Sequence, residues 1–181
     1  RDVIRSLVER HVGLPILAMI DGSAGLAAAL REQWSSLAIQ RCTAHKLRNL
    51  EAKAPVRLRE ELAEDYRRMI YAETRTLVDQ ARARFAKKWR LRCPAVVECL
   101  DEVGDDLFTF LRFPKLQWKA LRTTNALERI NGEFRRRTKT QASLPGQDAV
   151  LLLLFGLLRT GQVKLRKIDG WQEMAPVTEA A

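Results

Sequence analysis

Two acidic residues stand in contexts that would let a carboxylate bind a metal ion. Asp21 directly follows the apolar run Leu14–Ile20, and Glu128 lies within the stretch TTNALERINGEFRRRTKT. They are far apart along the chain, but each has basic residues nearby. Such a pair suits two-metal phosphoryl transfer, in which carboxylate-bound Mg²⁺ ions activate the attacking oxygen and stabilise the leaving one. Spacing alone makes this a hypothesis and establishes no site.

Each acid also has a purely structural interpretation. Asp21-Gly22 could simply form the turn between a strand and a helix. Asn125-x-x-Glu128 has the capping-box pattern, in which the acid reaches back to a backbone N–H at the start of a helix. The residue types leave both interpretations open.

The stretch around Glu128 has the pattern of an amphipathic helix. Leu127, Ile130 and Phe134 recur at spacings of three and four, so we expect them to face a core. Glu128 and Gly132 fall on a neighbouring face. Glycine costs a helix roughly 1 kcal/mol relative to alanine, and clearing space one turn beyond an acid would explain its presence.

The chain is strongly basic, with 32 Lys and Arg against 22 Asp and Glu and a net charge of +10. This balance favours a partner with dense negative charge, and DNA is a common one. The three consecutive arginines of the Glu128 helix point to different sides, so they cannot all serve one row of phosphates. The residues that we expect to contact DNA are Arg41, Lys46, Arg48, Asn125, Arg129, Arg135, Arg136 and Arg137.

Cys42-x-x-His45 could supply half of a zinc site. The other cysteines, Cys93 and Cys99, lack a tight pairing, so a buried cysteine and a hydrogen-bonded histidine are expected instead. Three cysteines without the spacing of a disulfide framework indicate a reducing cytoplasm.

Hydrophobic periodicity predicts an α/β unit at the start of the chain. A strand, helix, strand, helix order favours parallel pairing of the strands. The predicted elements are a helix over 2–11, a strand over Leu14–Ile20, a helix over Ala24–Trp34 with Ser23 as N-cap, a strand over Leu37–Cys42 and a basic helix from Thr43.

The remainder of the chain is predicted to be helical. Residues 56–111 carry apolar faces at helical spacing and no strand pattern. A linker around Pro114 follows, because proline interrupts a helix and favours extended backbone just before it. We then expect the Glu128 helix, a turn around Leu144-Pro145-Gly146 and a hydrophobic helix over Gln147–Arg159.

Membrane and secretory roles are not indicated. The longest apolar run, Ala149–Leu158, has ten residues and is too short to span a bilayer. The first residues lack the pattern of a signal peptide. The chain begins without Met and in a helical pattern, so we expect a fragment of a longer protein.

Three ordered segments resemble the signatures of mutator-type bacterial insertion-sequence transposases. They are IDGSAGLAAAL, QRCTAHKLRNL and RTTNALERINGEFRRRTK, with GQVKLRKIDGW near the end. The resemblance runs over nearly the whole chain. It implies an α/β fold that is predominantly helical overall: a partial ribonuclease-H-like core with an all-helical insertion.

The resemblance also implies a DDE triad that binds Mg²⁺ or Mn²⁺ and that cuts and joins DNA at transposon ends and targets. Asp21 matches the second acid and Glu128 the third. Cys42 and His45 match the family's C-x-x-H signature, which we expect to support the site structurally. The implied division is 1–55 as partial core, 56–118 as helical insertion, and 119–181 as the C-terminal helices with the third acid.

The chain departs from that pattern at its start. Only 20 residues precede Asp21, and the first acid of the triad belongs on an earlier strand. We therefore expect a C-terminal portion of a transposase that is inactive alone. We also expect it to be cytoplasmic and nucleoid-associated in a bacterium, and to be able to form a homo-oligomer. The alternative is a non-catalytic, basic DNA-binding protein that interferes with full-length transposase.

Overall fold

The computed structural model describes residues 1–139 and 146–174. Within them the chain is predominantly helical, with one pair of strands. The predicted turn residues Leu144 and Pro145 lie outside the described residues. In chain order the elements are α1 (Asp2–Glu9), β1 (Ala18–Ile20), α2 (Ala24–Gln33), β2 (Ile39–Arg41), α3 (Thr43–Lys53), α4 (Arg59–Ile70), α5 (Arg75–Arg92), α6 (Pro94–Asp101), α7 (Trp118–Leu121), α8 (Asn125–Thr138) and α9 (Gln147–Arg159).

The two strands pair in parallel, as their order in the sequence predicts. Ala18 lies opposite Ile39, and Ile20 lies opposite Arg41. The prediction of a buried strand over Leu14–Ile20 was wrong for its first half, because pairing begins at Ala18 and Leu14 stays 52% exposed. Pro15 cannot donate a ladder hydrogen bond, which is consistent with the late start of the strand.

A buried glutamine side chain joins β2 to the turns that follow α6. Gln40 Nε2 donates to the carbonyl of Leu107 (2.9 Å), and its Oε1 accepts from the backbone N–H of Phe110 (2.7 Å). The Thr109 hydroxyl donates to the carbonyl of Ile39 at 2.6 Å. These hydrogen bonds satisfy the polar groups of a buried region.

Two apolar clusters lie on either side of this region. The smaller one joins α1, β1, α2 and β2. The larger one is built by α3 to α6 and the turns before α7, as the helical periodicity of 56–111 predicts. Its most deeply buried side chains include Leu50, Leu62, Met69, Trp89 and Phe110.

Helices α8 and α9 contribute little to either apolar cluster. The expectation that Leu127, Ile130 and Phe134 face a core was wrong: Leu127 is 57% exposed, and the other two are half-buried. In α9 the one described residue that is buried is Leu157. The positions of these helices therefore depend on contacts other than a shared core.

No helix in the described ranges has the length and apolar character needed to cross a membrane.

Removing the Gln40 side chain is expected to destabilise the chain. Gln40→Ala leaves the Phe110 N–H and the Leu107 carbonyl without partners in a dry region, which costs about 2–4 kcal/mol of unfolding free energy. Urea denaturation followed by circular dichroism measures the change. Gln33→Ala, at an exposed position on α2, is the matched control and should stay within about 0.5 kcal/mol of the wild type. Equal losses in both variants would contradict the expectation.

Candidate functional site

Asp21 lies in an exposed turn at the carboxyl end of β1. Its Oδ1 accepts a hydrogen bond from the backbone N–H of Ser23 at 3.3 Å. The Ser23 hydroxyl in turn accepts from the Leu26 N–H and caps α2, as predicted. The acid therefore supports the turn, and its exposed carboxylate remains accessible to a further ligand.

Gly22 allows the guanidinium of Arg41 to lie against the backbone next to Asp21. Its φ of 121° is one that L side chains rarely adopt, and a Cβ there would overlap the guanidinium. Arg41 Nε is buried and has no hydrogen-bond partner among the described residues. Arg41 therefore places a positive charge beside the Asp21 turn and keeps one donor unused.

The sulfur of Cys42 joins three segments at the carboxyl end of β2. Cys42 is fully buried, and its backbone N–H donates to the carbonyl of Ile20 at 2.7 Å. Its Sγ accepts from both the backbone N–H and the hydroxyl of Thr124, at 3.4 Å each. His45 Nδ1 lies 3.2 Å from the same sulfur. We refer to Cys42, His45 and Thr124 as the Cys42 junction.

These contacts favour the thiolate form of Cys42. Burial by itself raises the pKa of the thiol, but hydrogen bonds from Thr124 and His45 outweigh it and lower the pKa from 9.0 to about 7. A sulfur that accepts several donors holds negative charge more readily than a free thiol. The junction is therefore polar despite its burial.

His45 connects the Cys42 junction to Glu128. Its Nε2 lies 3.6 Å from Glu128 Oε1 and 3.4 Å from Arg48 Nη1. With Nδ1 directed at the sulfur, Nε2 is the ring atom left for these two neighbours. The other cysteines serve elsewhere: Cys93 donates to the Lys53 carbonyl, and Cys99 accepts from Lys46.

Glu128 lies in the first part of α8, but the capping-box interpretation was wrong. The helix begins at Asn125 after Thr124 as N-cap, and Thr124 makes no side-chain bond to the helix. Its hydroxyl is donated to Cys42 instead. Glu128 is therefore beyond the position from which a capping-box acid reaches back, and its side chain is 47% exposed.

A chain of contacts through Cys42 and His45 relates Asp21 to Glu128. Asp21 follows Ile20, whose carbonyl accepts the Cys42 N–H, and Cys42 Sγ lies beside His45, whose Nε2 is 3.6 Å from Glu128 Oε1. Within 1–139 and 146–174, no group of three or more His, Cys, Asp or Glu side chains is arranged as a metal site. Asp21 is exposed and the Glu128 side chain is 47% exposed, so both carboxylates are accessible to solvent.

One predicted DNA contact is not available on the surface. Lys46 is 1% exposed, and its Nζ lies 3.4 Å from Cys99 Sγ and 3.7 Å from Glu102 Oε2. The residue is on the inner face of α3, where the larger apolar cluster packs. We therefore remove Lys46 from the set of residues that could contact DNA.

The consecutive arginines of α8 differ in their surroundings, as their spacing predicts. Arg137 and Arg136 both bind Glu133, and hydrogen bonding to Arg137 and then Arg136 lowers the pKa of that carboxyl to about 2. Arg137 also donates to the Gln162 carbonyl at 2.8 Å. Arg135 and Arg129 are exposed and have no carboxylate partner among the described residues.

Gly132 does not clear space for any described part of this chain. A Cβ at this position would have no neighbour within 4 Å. The open surface one turn beyond Glu128 is therefore available to something outside the described residues.

Sequence patterns do not single out Thr124 or Arg122, although both position α8. The Arg122 carbonyl accepts the Thr43 backbone N–H (2.9 Å) and hydroxyl (3.0 Å), and Thr124 donates to Cys42. The only signal in the sequence is the pair of threonines before the helix, which is typical of a helix start. A pattern of this kind does not indicate a bond to a sulfur 82 residues away.

The thiol of Cys42 is expected to titrate near pH 7. Because its pKa is lower in the folded than in the unfolded chain, this group adds stability as the pH rises from 7 to 9 and loses that contribution as the pH falls through 7. Ultraviolet absorbance of the thiolate gives the midpoint, and urea unfolding across the pH range gives the stability.

Cys42→Ser should remove both the thiolate absorbance change near pH 7 and the stability that depends on it. The pH dependence that remains in this variant measures the other titrating groups. Thr124→Val should move the midpoint upward, since it removes one of the donors to the sulfur. A wild-type midpoint at 9 or above would contradict the polar environment described for this thiol.

The chain matches known proteins along most of its length. The family model described as "Transposase, Mutator family" matches residues 1–165. The transposase for insertion sequence element ISRM5 of Rhizobium meliloti (strain 1021) is 34% identical over 144 residues, which cover 78% of this chain and 35% of that protein.

Two further relatives give the same result. The transposase for IS406 of Burkholderia multivorans (strain ATCC 17616 / 249) is 33% identical over 159 residues, covering 87% of this chain and 41% of the relative. The transposase for IS1081 of Mycobacterium tuberculosis (strain ATCC 25618 / H37Rv) is 31% identical over 185 residues, covering 93% and 39%. The chain spans well under half the length of these relatives.

Proposed function

Because this chain belongs to the Mutator family of transposases, we propose that it is the C-terminal portion of a metal-dependent enzyme that cleaves and transfers DNA strands. Asp21 and Glu128 supply two acids of a DDE triad. The strand pair and the helices packed around it form part of a ribonuclease-H-like core, with α4 to α6 as a helical insertion.

One observation carries this proposal: the Cys42 junction connects the two acids. They are remote in sequence, yet Asp21 follows β1, whose Ile20 carbonyl accepts the Cys42 N–H, and Glu128 lies beside His45, which contacts the Cys42 sulfur. Ligands of open α/β sheets bind at the carboxyl ends of the strands. Cys42 and His45 act as positioning residues in this proposal, and neither binds the metal.

The described residues fit a divalent cation only in part. Mg²⁺ or Mn²⁺ binds carboxylate oxygens, and Asp21 and Glu128 offer two such groups. When bound, the ion supplies activation of the attacking oxygen and stabilisation of the leaving one. In this proposal the first acid of the triad is not among these 181 residues, so we expect them alone not to cut or join DNA.

DNA contacts come from arginines around the acids and from the amide of Asn125. The arginines are Arg41 beside the Asp21 turn, Arg48 beside His45, and Arg129, Arg135 and the exposed Arg136 on α8. The positive charge of the arginines would neutralise phosphates close to the metal, and Asn125 would donate a hydrogen bond to a phosphate oxygen. Arg137 is committed to Glu133 and Gln162 and serves the local structure.

The presence of only two of the three triad acids among these residues also favours a second function. With a net charge of +10, the chain would bind DNA without catalysis and compete with full-length transposase. This version shares the DNA surface but assigns no catalytic role to Asp21 and Glu128.

Purified chain is expected to bind duplex DNA and to leave supercoiled plasmid intact in Mg²⁺. Affinity should fall more than about tenfold between roughly 50 and 200 mM salt, because phosphate contacts release counterions. Asp21→Asn and Glu128→Gln should keep the affinity within about twofold, since carboxylates contribute no attraction to phosphate. Fluorescence anisotropy and gel analysis of plasmid nicking measure the two properties.

A longer protein, which adds the residues encoded directly upstream, allows an experiment that separates the two functions. The catalytic proposal expects Mg²⁺-dependent nicking by the longer protein and its loss in both acid variants. Nicking by the longer protein that survives Asp21→Asn would contradict the assignment of the acids. Nicking by the 181-residue chain above its own Asp21→Asn control would contradict the expectation that it is incomplete.

A further inference from the structure

A cleft of about 880 Å³ lies between α7, the first turns of α8 and the segment around 166–169. Its volume is within the range of about 300–1,000 Å³ that is typical of ligand sites. Five cationic side chains and one carboxylate line it: Lys119, Arg122, Arg129, Arg166, Lys167 and Asp169. We refer to this as the basic cleft.

Within the described parts of the chain, the Arg122 guanidinium in the basic cleft has no acceptor. Arg122 is 9% exposed, and its buried Nε has no hydrogen-bond partner there. Among the described residues it forms no ion pair; instead, its Cζ lies 4.7 Å from the ring centroid of Phe110, 4.9 Å from that of Tyr71 and 5.6 Å from that of Trp118. Aromatic faces stabilise the charge, but they do not satisfy the N–H donors.

A buried arginine of this kind favours an anionic ligand. Leaving charged donors without an acceptor in a low-dielectric setting is costly. A phosphate offers two oxygens that the planar guanidinium can bind at the same time. Lys119, Arg129 and Arg166 around the same cleft add positive charge for that anion.

Tyr71 adds a surface for a base. It lines the basic cleft, with Arg122 against its ring, and it is 60% exposed. An accessible aromatic ring beside a row of cations is the combination by which proteins bind single-stranded nucleic acid, since every base has a face that can stack. A base within a duplex has both faces covered by its neighbours and cannot use such a ring.

The basic cleft also adjoins the elements that carry the acids. Met19 of β1 lines it, two residues before Asp21, and Asn125 and Arg129 of α8 line it on either side of Glu128 in sequence. A nucleotide in the cleft would therefore belong to the same DNA that approaches the carboxyl end of the strands.

We propose that the basic cleft holds an unpaired nucleotide of DNA, with a phosphate on Arg122 and the base stacked on Tyr71. The assignment of DNA rests on the proposed function; the selection of an unpaired nucleotide rests on Tyr71 and Arg122. Lys119 and Arg166 hold the neighbouring phosphates of the strand.

The test compares a labelled single-stranded oligonucleotide with the duplex of the same sequence, by anisotropy on the full chain. Tyr71→Ala is expected to weaken single-strand binding about tenfold, which corresponds to one stacked base, and to leave duplex binding within about twofold. Tyr71→Phe keeps the ring and should bind as the wild type does. Arg57→Ala, at an exposed position outside the cleft, is the matched control and should not discriminate between the two DNAs.

A second readout reports stacking itself. A 2-aminopurine base in the single strand should be quenched by the wild type and by Tyr71→Phe, and not by Tyr71→Ala. Lys119→Ala should weaken single-strand binding while leaving the quenching at saturation unchanged. Circular dichroism confirms that each variant is folded, which is expected at the exposed positions 71 and 119.

The outcomes separate this inference from the proposed function. Duplex binding with steep salt dependence, together with a Tyr71→Ala variant that binds both DNAs like the wild type, overturns the inference and leaves the proposed function in place. The inference is also overturned if Tyr71→Ala weakens binding to both DNAs equally, or if the wild type does not quench the 2-aminopurine fluorescence. Failure to bind either DNA overturns both.

Discussion

The buried sulfur of Cys42 fixes the geometry on which the candidate site depends. It accepts the backbone N–H and hydroxyl of Thr124, and His45 Nδ1 lies within hydrogen-bond distance of it. Because Cys42 also follows β2 and pairs its N–H with Ile20, one side chain joins the strand pair, the start of α3 and the start of α8. The accessible carboxylates of Asp21 and Glu128 lie around this point.

Helix α8 needs such a connection because it buries none of its own residues. An element without a share of the core opens at low cost in free energy unless polar contacts hold it. The bonds of Thr43 to the Arg122 carbonyl and of Thr124 to Cys42 hold its N-terminal end, and Arg137 holds its far end through Gln162. Polar contacts therefore hold both ends of α8, and its first turns, around Glu128, also line the basic cleft.

Hydrophobic periodicity predicted the secondary structure correctly where one hydrophobic face packs against another. It predicted α2 with its Ser23 cap, the helical block α4 to α6 and the parallel order of the strands. It failed at Leu127, whose helical spacing implied a core that the described residues do not provide. The assignment of Lys46 to the DNA surface rested on its charge and failed because α3 turns that side chain into the interior. The roles of Thr124 and Arg122 depend on partners that folding brings from distant positions, so no local pattern carries them.

We propose that Asp21 and Glu128 bind one divalent cation between them. Titration of Mn²⁺, followed by electron paramagnetic resonance, tests it with Asp21→Asn, Glu128→Gln and the double variant. Each single substitution should lower the affinity for Mn²⁺ at least about tenfold, which is the lower end of the cost of replacing residues around a metal site. The double variant should lose little more affinity than either single variant, because two ligands of one ion act as a unit. Unchanged Mn²⁺ affinity in either single variant, or losses that simply add, would show that the two carboxylates do not act on the same ion.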